Sequence, residues 1–288
     1  MLFEISALFV LALLMYVLAE LSESEGNVGY MYVVYPWITT GPETITTILL
    51  VLRGYPVAGL FNSIFSAAFD LAVIGLAAIR FGMVDVRRVV PLGVISALSA
   101  FALIGVSYDG LLDFNDGVLL LSVLGIAMLF AAFGYGVSYG RFKHGVGPAV
   151  VGLLAMLPAA WLLSRVVEML CAYIPESLAG VVSAVLTSMP DVIVALVYGL
   201  ESEEAIASIY GACLHDFVES IGLAALVAGL LGSAIPVPNP YHLAVVLAAI
   251  AMTWIFVMSY GRVTPVEGAI LVIAFLVLSY FGIAAGLL

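Results

Sequence analysis

The 288-residue sequence predicts an all-α polytopic membrane protein, with about ten transmembrane helices arranged as two inverted five-helix repeats. Three observations lead there. First, 65% of residues are hydrophobic, only 9% are charged, and mean hydropathy is +1.25. A soluble domain carries about 25% charged residues, so this chain cannot hide its apolar surface without lipid as its solvent. Second, apolar stretches of about 20 residues, the length that crosses a hydrocarbon core, recur along the whole chain. Third, a hydroxyl–proline–acid segment occurs twice, 148 residues apart, at matching places in the two halves.

In chain order the stretches are 2–19, 28–52, 56–81, 88–107, 116–137, 147–172, 178–200, 204–232, 241–260 and 265–287. Polar or Gly- and Pro-rich breaks separate them, among them Ser22–Asn27, Gly54–Pro56, Asp85–Arg88, Asp109–Asp116, Tyr139–Pro148 and Glu201–Glu204. The first stretch has no basic n-region and no small-residue cleavage site, so it reads as a span rather than a removable signal. With both termini outside, Arg80, Arg87, Arg88, Arg141, Lys143 and Arg262, 6 of the 8 basic residues, fall in or beside cytoplasmic loops. That orientation satisfies the positive-inside rule, and a plasma-membrane location is expected.

The charge balance excludes other classes. Nineteen acids against 8 bases give −11, which argues against nucleic-acid binding and against a polybasic surface anchor. Cys171 and Cys213 sit in apolar segments and suggest no disulfide framework. The expected partners are inorganic cations and the lipid bilayer. No enzymatic chemistry and no cofactor are expected.

The repeat is the most informative feature. Thr39-Thr40-Gly41-Pro42-Glu43 matches Thr187-Ser188-Met189-Pro190-Asp191. A second acid follows each, Asp70 after 27 residues and Asp216 after 25. Five spans separate equivalent positions, and an odd number reverses orientation, so the halves 1–140 and 141–288 should be inverted repeats. Carboxylates in mid-membrane are costly unless they face a cavity, a partner or a cation. Hard cations such as Ca²⁺ take six to eight oxygens, several of them carboxylate. Thr39 and Thr40 share a helical face with Glu43, as Thr187 and Ser188 do with Asp191; Thr47 lies one turn beyond Glu43 and Ser66 one turn before Asp70. Pro42 and Pro190 have no N–H and free backbone carbonyls that need a partner, for which a bound cation is a candidate.

These segments resemble those of the calcium/cation antiporter superfamily, which includes the sodium/calcium exchangers. Its repeats carry threonine-serine-x-proline-acid on one helix, then glycine-serine-asparagine-x-x-asparagine or -aspartate on the next. Residues 36–80 and 184–225 carry the likeness. The second segment fits less well: Phe65-Ser66-Ala67-Ala68-Phe69-Asp70 and Gly211-Ala212-Cys213-Leu214-His215-Asp216. The resemblance implies alternating access, with Ca²⁺ exchanged for Na⁺ or H⁺ and K⁺ a third candidate. It implies Glu43 and Asp191 as central ligands, flanked by Asp70 and Asp216. Asp70 stands where the first repeat usually has asparagine, and Ala212 replaces a serine.

Other residues divide between the site and ordinary roles. Glu219, three residues after Asp216, lies on nearly the same α-helical face and is a candidate fifth ligand or proton relay. His215 points about 100° away, as a hydrogen-bonded helix contact. Ser63 and Ser208 are candidates to line the site, while Cys213 reads as packing. Asp109, Asp113 and Asp116 read as loop residues, Arg165 with Glu168 as a local pair, and Trp37 as an interfacial or packing group. Two competing functions are a passive cation channel and, remotely, an intramembrane aspartyl protease. For the protease, Tyr108-Asp109 occurs only in a predicted loop, without a second motif.

Overall fold

The computed structural model describes residues 2–22, 24–188, 200 and 202–287. The helices are α1 (Leu2–Ser22), α2 (Val28–Val33), α3 (Pro36–Thr39), α4 (Gly41–Leu52), α5 (Pro56–Phe81), α6 (Val90–Val106) and α7 (Phe114–Tyr135). Then follow α8 (Val146–Cys171), α9 (Glu176–Thr187), α10 (Glu203–Leu214), a π-helical turn (His215–Ser220), α11 (Ile221–Leu230), α12 (Pro240–Ser259) and α13 (Pro265–Leu287). Among the described residues six helical segments are long and apolar enough to cross a membrane: 56–81, 114–135, 146–171, 203–230, 240–259 and 265–284. Four further apolar helices are shorter, at 6–22, 41–52, 90–106 and 176–187.

Proline accounts for the main departure from the predicted stretches. The expected continuous span 28–52 is three pieces, because Pro36 and Pro42 each sit in the first turn of a new helix. Neither has an N–H for the preceding turn, and each has a backbone angle suited to starting a helix. The expected span 178–200 begins as α9; its part over 189–199 lies outside the described residues.

Two rods occupy the centre. Residues Ala58 to Ala78 of α5 are buried almost without interruption, as are Ile206 to Ala225 of α10, the π turn and α11. The outer helices instead show apolar side chains such as Phe133, Leu154, Val245 and Ile273 on their outward faces. In a membrane those faces meet lipid, so their exposure costs nothing. The buried side chains form two clusters. The larger gathers α5 to α7 and α10 to α13 with Val181 and Ala184 of α9, and the smaller joins α1, α8 and Ala179 of α9 with Leu50 and Ala58. Three short antiparallel strand pairs tie loops together: 24–26 with 139–142, 84–85 with 262–263, and 111–112 with 235–236.

Close helix crossings depend on glycine. A Cβ on Gly75 of α5 would lie 2.5 Å from the Gly268 carbonyl oxygen of α13, and one on Gly268 would lie 2.5 Å from the Gly75 carbonyl oxygen. Likewise a Cβ on Gly117 of α7 would lie 2.7 Å from the Gly222 carbonyl oxygen of α11. Small residues let membrane helices approach backbone to backbone. Gly75→Leu should therefore push α13 away and lower stability by about 1–3 kcal/mol, read as a fall in melting temperature in detergent. An unchanged melt would show that the crossing tolerates a side chain.

Candidate cation site

Glu43 lies in the first turn of α4 and is 5% exposed. The positive end of the helix dipole favours an anionic side chain there. Just before it, Thr40 Oγ1 donates to the Pro36 carbonyl at 2.8 Å, and Thr39 Oγ1 to the same oxygen at 3.5 Å. A hydroxyl whose hydrogen is spent on a carbonyl keeps its lone pairs for a cation. Thr187 does the same at the end of α9, donating to the Ser183 and Ala184 carbonyls at 3.1 Å. Thr40, Thr187 and Ser188 are buried, and Thr39 is half-buried.

Asp70 on α5 and Asp216 on the π turn are 2% and 1% exposed. The elements bearing Glu43, Asp70 and Asp216 all pack on one another, and hydroxyl contacts fasten them close to the acids. Thr44, next to Glu43, hydrogen-bonds Ser220, four residues after Asp216, at 2.7 Å. Ser66, four residues before Asp70, meets Thr187, four before Asp191, at 3.5 Å. Thr47 hydrogen-bonds Ser63 at 2.8 Å and accepts from Asn62 Nδ2 at 3.3 Å. Cys213 Sγ lies 3.5 Å from the Ala67 carbonyl oxygen and 4.0 Å from Asp70 Oδ2. Asp191 lies outside the described residues. Among the described residues no three His, Cys, Asp or Glu side chains are close enough to share one metal ion. Like charges in low dielectric repel, and the contacts described between these elements are made by neutral hydroxyls beside the acids.

The π turn changes the reading of Glu219. Its i→i+5 bonding widens the turn that carries Asp216 and Glu219. The Glu219 carboxylate hydrogen-bonds His215 Nδ1. Both side chains are buried, at 0% for His215 and 3% for Glu219. The His215 ring also meets Trp37 edge to face, with centroids 5.3 Å apart. His215 is thus the hydrogen-bonded helix contact expected, and Trp37 a packing group. Ser208 donates to its own helix at the Ala205 carbonyl, 2.8 Å away. Arg165 donates to Glu168 at 3.0 Å, the local pair expected. Asp113 caps α7 with a reciprocal bond from Asp116, which is an ordinary loop role.

Comparison with known proteins bears on the family. Residues 144–284 match the family model described as sodium/calcium exchanger protein. The match spans just under half of the chain and is a similarity to that family, which supports the calcium/cation antiporter superfamily. Solved structures share its fold along nearly its whole length. An H⁺/Ca²⁺ exchanger, CAX, matches with a TM-score of 0.73 at 14% identity, covering 99% of this chain and 84% of that one. The sodium-calcium exchanger NCX_Mj, soaked with zero Na⁺ and Ca²⁺, matches at 0.66 and 18% identity, covering 96% and 98%. The same exchanger soaked with Na⁺ and Sr²⁺ gives 0.67 at 18% identity with the same coverage. Comparison with curated proteins finds no match by sequence. The fold is the one these exchanger structures share.

Against the superfamily pattern, sequence reasoning missed Thr44, Asn62, Ser183 and Ser220. Ser220 was findable: it stands one turn beyond Asp216, as Thr47 stands one turn beyond Glu43. Asn62, one turn before Ser66, is a buried amide on α5, where Ala67 stands at the place of the superfamily segment's asparagine.

Proposed function

We propose that the chain is a secondary-active antiporter that exchanges Ca²⁺, or a similar divalent cation, for Na⁺ or H⁺ by alternating access around a midplane carboxylate site. The observation that carries this reading is the burial of Glu43, Asp70 and Asp216 on three mutually packed elements of a lipid-facing helical protein. Buried acids at such depth call for cations or protons. In this reading Glu43 and Asp191 are the central ligands, with Asp70 and Asp216 flanking them. Thr39, Thr40, Ser66, Thr187 and Ser188 add neutral oxygens. Glu219 adjoins the site through its pairing with His215. K⁺ is a third candidate ion. The similar structures, one of an H⁺/Ca²⁺ exchanger and one of a sodium-calcium exchanger, support both counter-ions.

The same reading has ten spans in two inverted repeats, 1–140 and 141–288, in the plasma membrane with both termini outside. Exchanged helix contacts support it. The pairing of α5 with α9 has its counterpart in α10 with α2, and that of α5 with α13 in α7 with α11. The latter two are both glycine-to-glycine crossings. Alternating access needs two bodies that move relative to each other, and the division of the core into two clusters supports such a division of the molecule.

The test is Ca²⁺ binding to the purified protein. Binding should be competitive with Na⁺ or with protons, since one site serves both ions in turn. Ca²⁺ binding that neither ion displaces would defeat the shared-site reading.

A further inference from the structure

Helices α5 and α9 run side by side in parallel. A Cβ on Gly180 would lie 2.5 Å from the Ala58 carbonyl oxygen and 3.1 Å from the Asn62 nitrogen, and further along Ser66 meets Thr187 at 3.5 Å. Ala58, Asn62 and Ser66 succeed one another at four-residue spacing, and Gly180, Ser183 and Thr187 at three and four. These spacings line one face of each helix. Asn62 and Ser183 therefore sit opposite each other between two contacts of known distance. Both are fully buried, and among the described residues neither Asn62 Oδ1 nor Ser183 Oγ has a hydrogen-bond partner. Such orphaned polar atoms are few in native structures and point to an absent ion or water. Thr47 and Ser63 border them, since Asn62 Nδ2 donates to Thr47 Oγ1 and Thr47 bonds Ser63.

We propose that Asn62, Ser183, Thr47 and Ser63 form a Na⁺-binding station on the seam between α5, α9 and α4. It lies one helical turn from the Ser66–Thr187 contact, toward the N-termini of α5 and α9. The inference rests on the antiporter reading for its purpose and adds a site outside the carboxylates. Its chemistry selects a monovalent ion. The oxygens are an amide and three hydroxyls, with no carboxylate among them. A divalent cation in so buried a place would lack the negative ligands it requires. A singly charged ion satisfies both orphan oxygens at a far smaller desolvation cost. From this station it could pass along Ser66 and Thr187 to Asp70.

The experiment is ²²Na⁺ binding to the full-length protein in detergent, with ⁴⁵Ca²⁺ binding measured in parallel. Ser183→Ala and Asn62→Leu should each weaken Na⁺ binding about tenfold, the worth of about one lost oxygen contact. Ca²⁺ binding should stay within about twofold. Ser183→Ala removes a single oxygen, so it keeps the test valid if Asn62→Leu fails to fold. Wild-type protein that binds no Na⁺, or Ser183→Ala protein that binds it like wild type, would overturn the station; in the latter case the two oxygens hold water. An equal fall in Na⁺ and Ca²⁺ binding would also overturn it, as the mark of a structural role. Selective weakening of Na⁺ binding supports the station even if wild-type protein binds no Ca²⁺, a result that would count against the carboxylate reading instead.

Discussion

Glu43→Gln is expected to lower gradient-driven Ca²⁺ flux by about 100-fold. The substitution keeps the shape of the side chain and replaces one charged oxygen by an amide. An interaction with a charged group is worth about 1.5–3 kcal/mol, and each 1.4 kcal/mol is a factor of ten. For a cation bound by few carboxylates in low dielectric, the upper part of that range applies. The packing around Glu43 should survive, because Thr44 still reaches Ser220 and Thr40 still holds the Pro36 carbonyl. The variant should therefore melt close to wild type while transporting almost nothing. Flux assays in proteoliposomes, with melting in detergent as the control, decide it. A Glu43→Gln protein that transports like wild type would remove Glu43 from the site.

The second large effect concerns the His215–Glu219 pair. Both side chains are buried and hydrogen-bonded to each other on the π turn. Removing one partner strands the other without water. Breaking such a buried pair costs about 3–5 kcal/mol when it is ionic and about 1–3 kcal/mol when it is neutral. His215→Phe should keep the edge contact with Trp37 yet destabilise the protein by about 1–5 kcal/mol through Glu219. Glu219→Leu should do the same through His215. The double variant should recover most of the loss, because replacing both partners by apolar groups leaves nothing unsatisfied. Additive losses in the double variant would show that the two side chains do not act as a pair.

The helical membrane fold was legible because lipid leaves the backbone few alternatives. A run such as Pro56–Phe81, without a charge for most of its length, can only be a buried or spanning helix, and the structure places it at the centre. The burial of Glu43, Asp70 and Asp216 was legible for a related reason: an acid inside such a run has nowhere else to go. Two things were not. The π turn at His215–Ser220 has no sequence mark, since its residues fit the 3.6-residue period as well as their neighbours do. Reading it as α-helix put Glu219 beside Asp216 and did not foresee its hydrogen bond to His215. The break at Tyr35–Pro36 was hidden in the same way, in an apolar stretch long enough for one span. The other gap was tertiary. Thr44 with Ser220 spans 176 residues and Ser66 with Thr187 spans 121. Such hydroxyl pairs follow from how the two halves meet, which local spacing does not encode. Asp191, the partner of Glu43 in the repeat, lies outside the described residues.

The most direct measurement of the central claim is ⁴⁵Ca²⁺ movement in proteoliposomes of the purified chain under separately imposed Na⁺, H⁺ and K⁺ gradients. Ca²⁺ should accumulate against its own gradient when a Na⁺ or H⁺ gradient is imposed, and accumulation should stop when that gradient is collapsed. Ca²⁺ that only runs down its own gradient, at a rate indifferent to every counter-ion, would contradict the account and mark the protein as a passive channel.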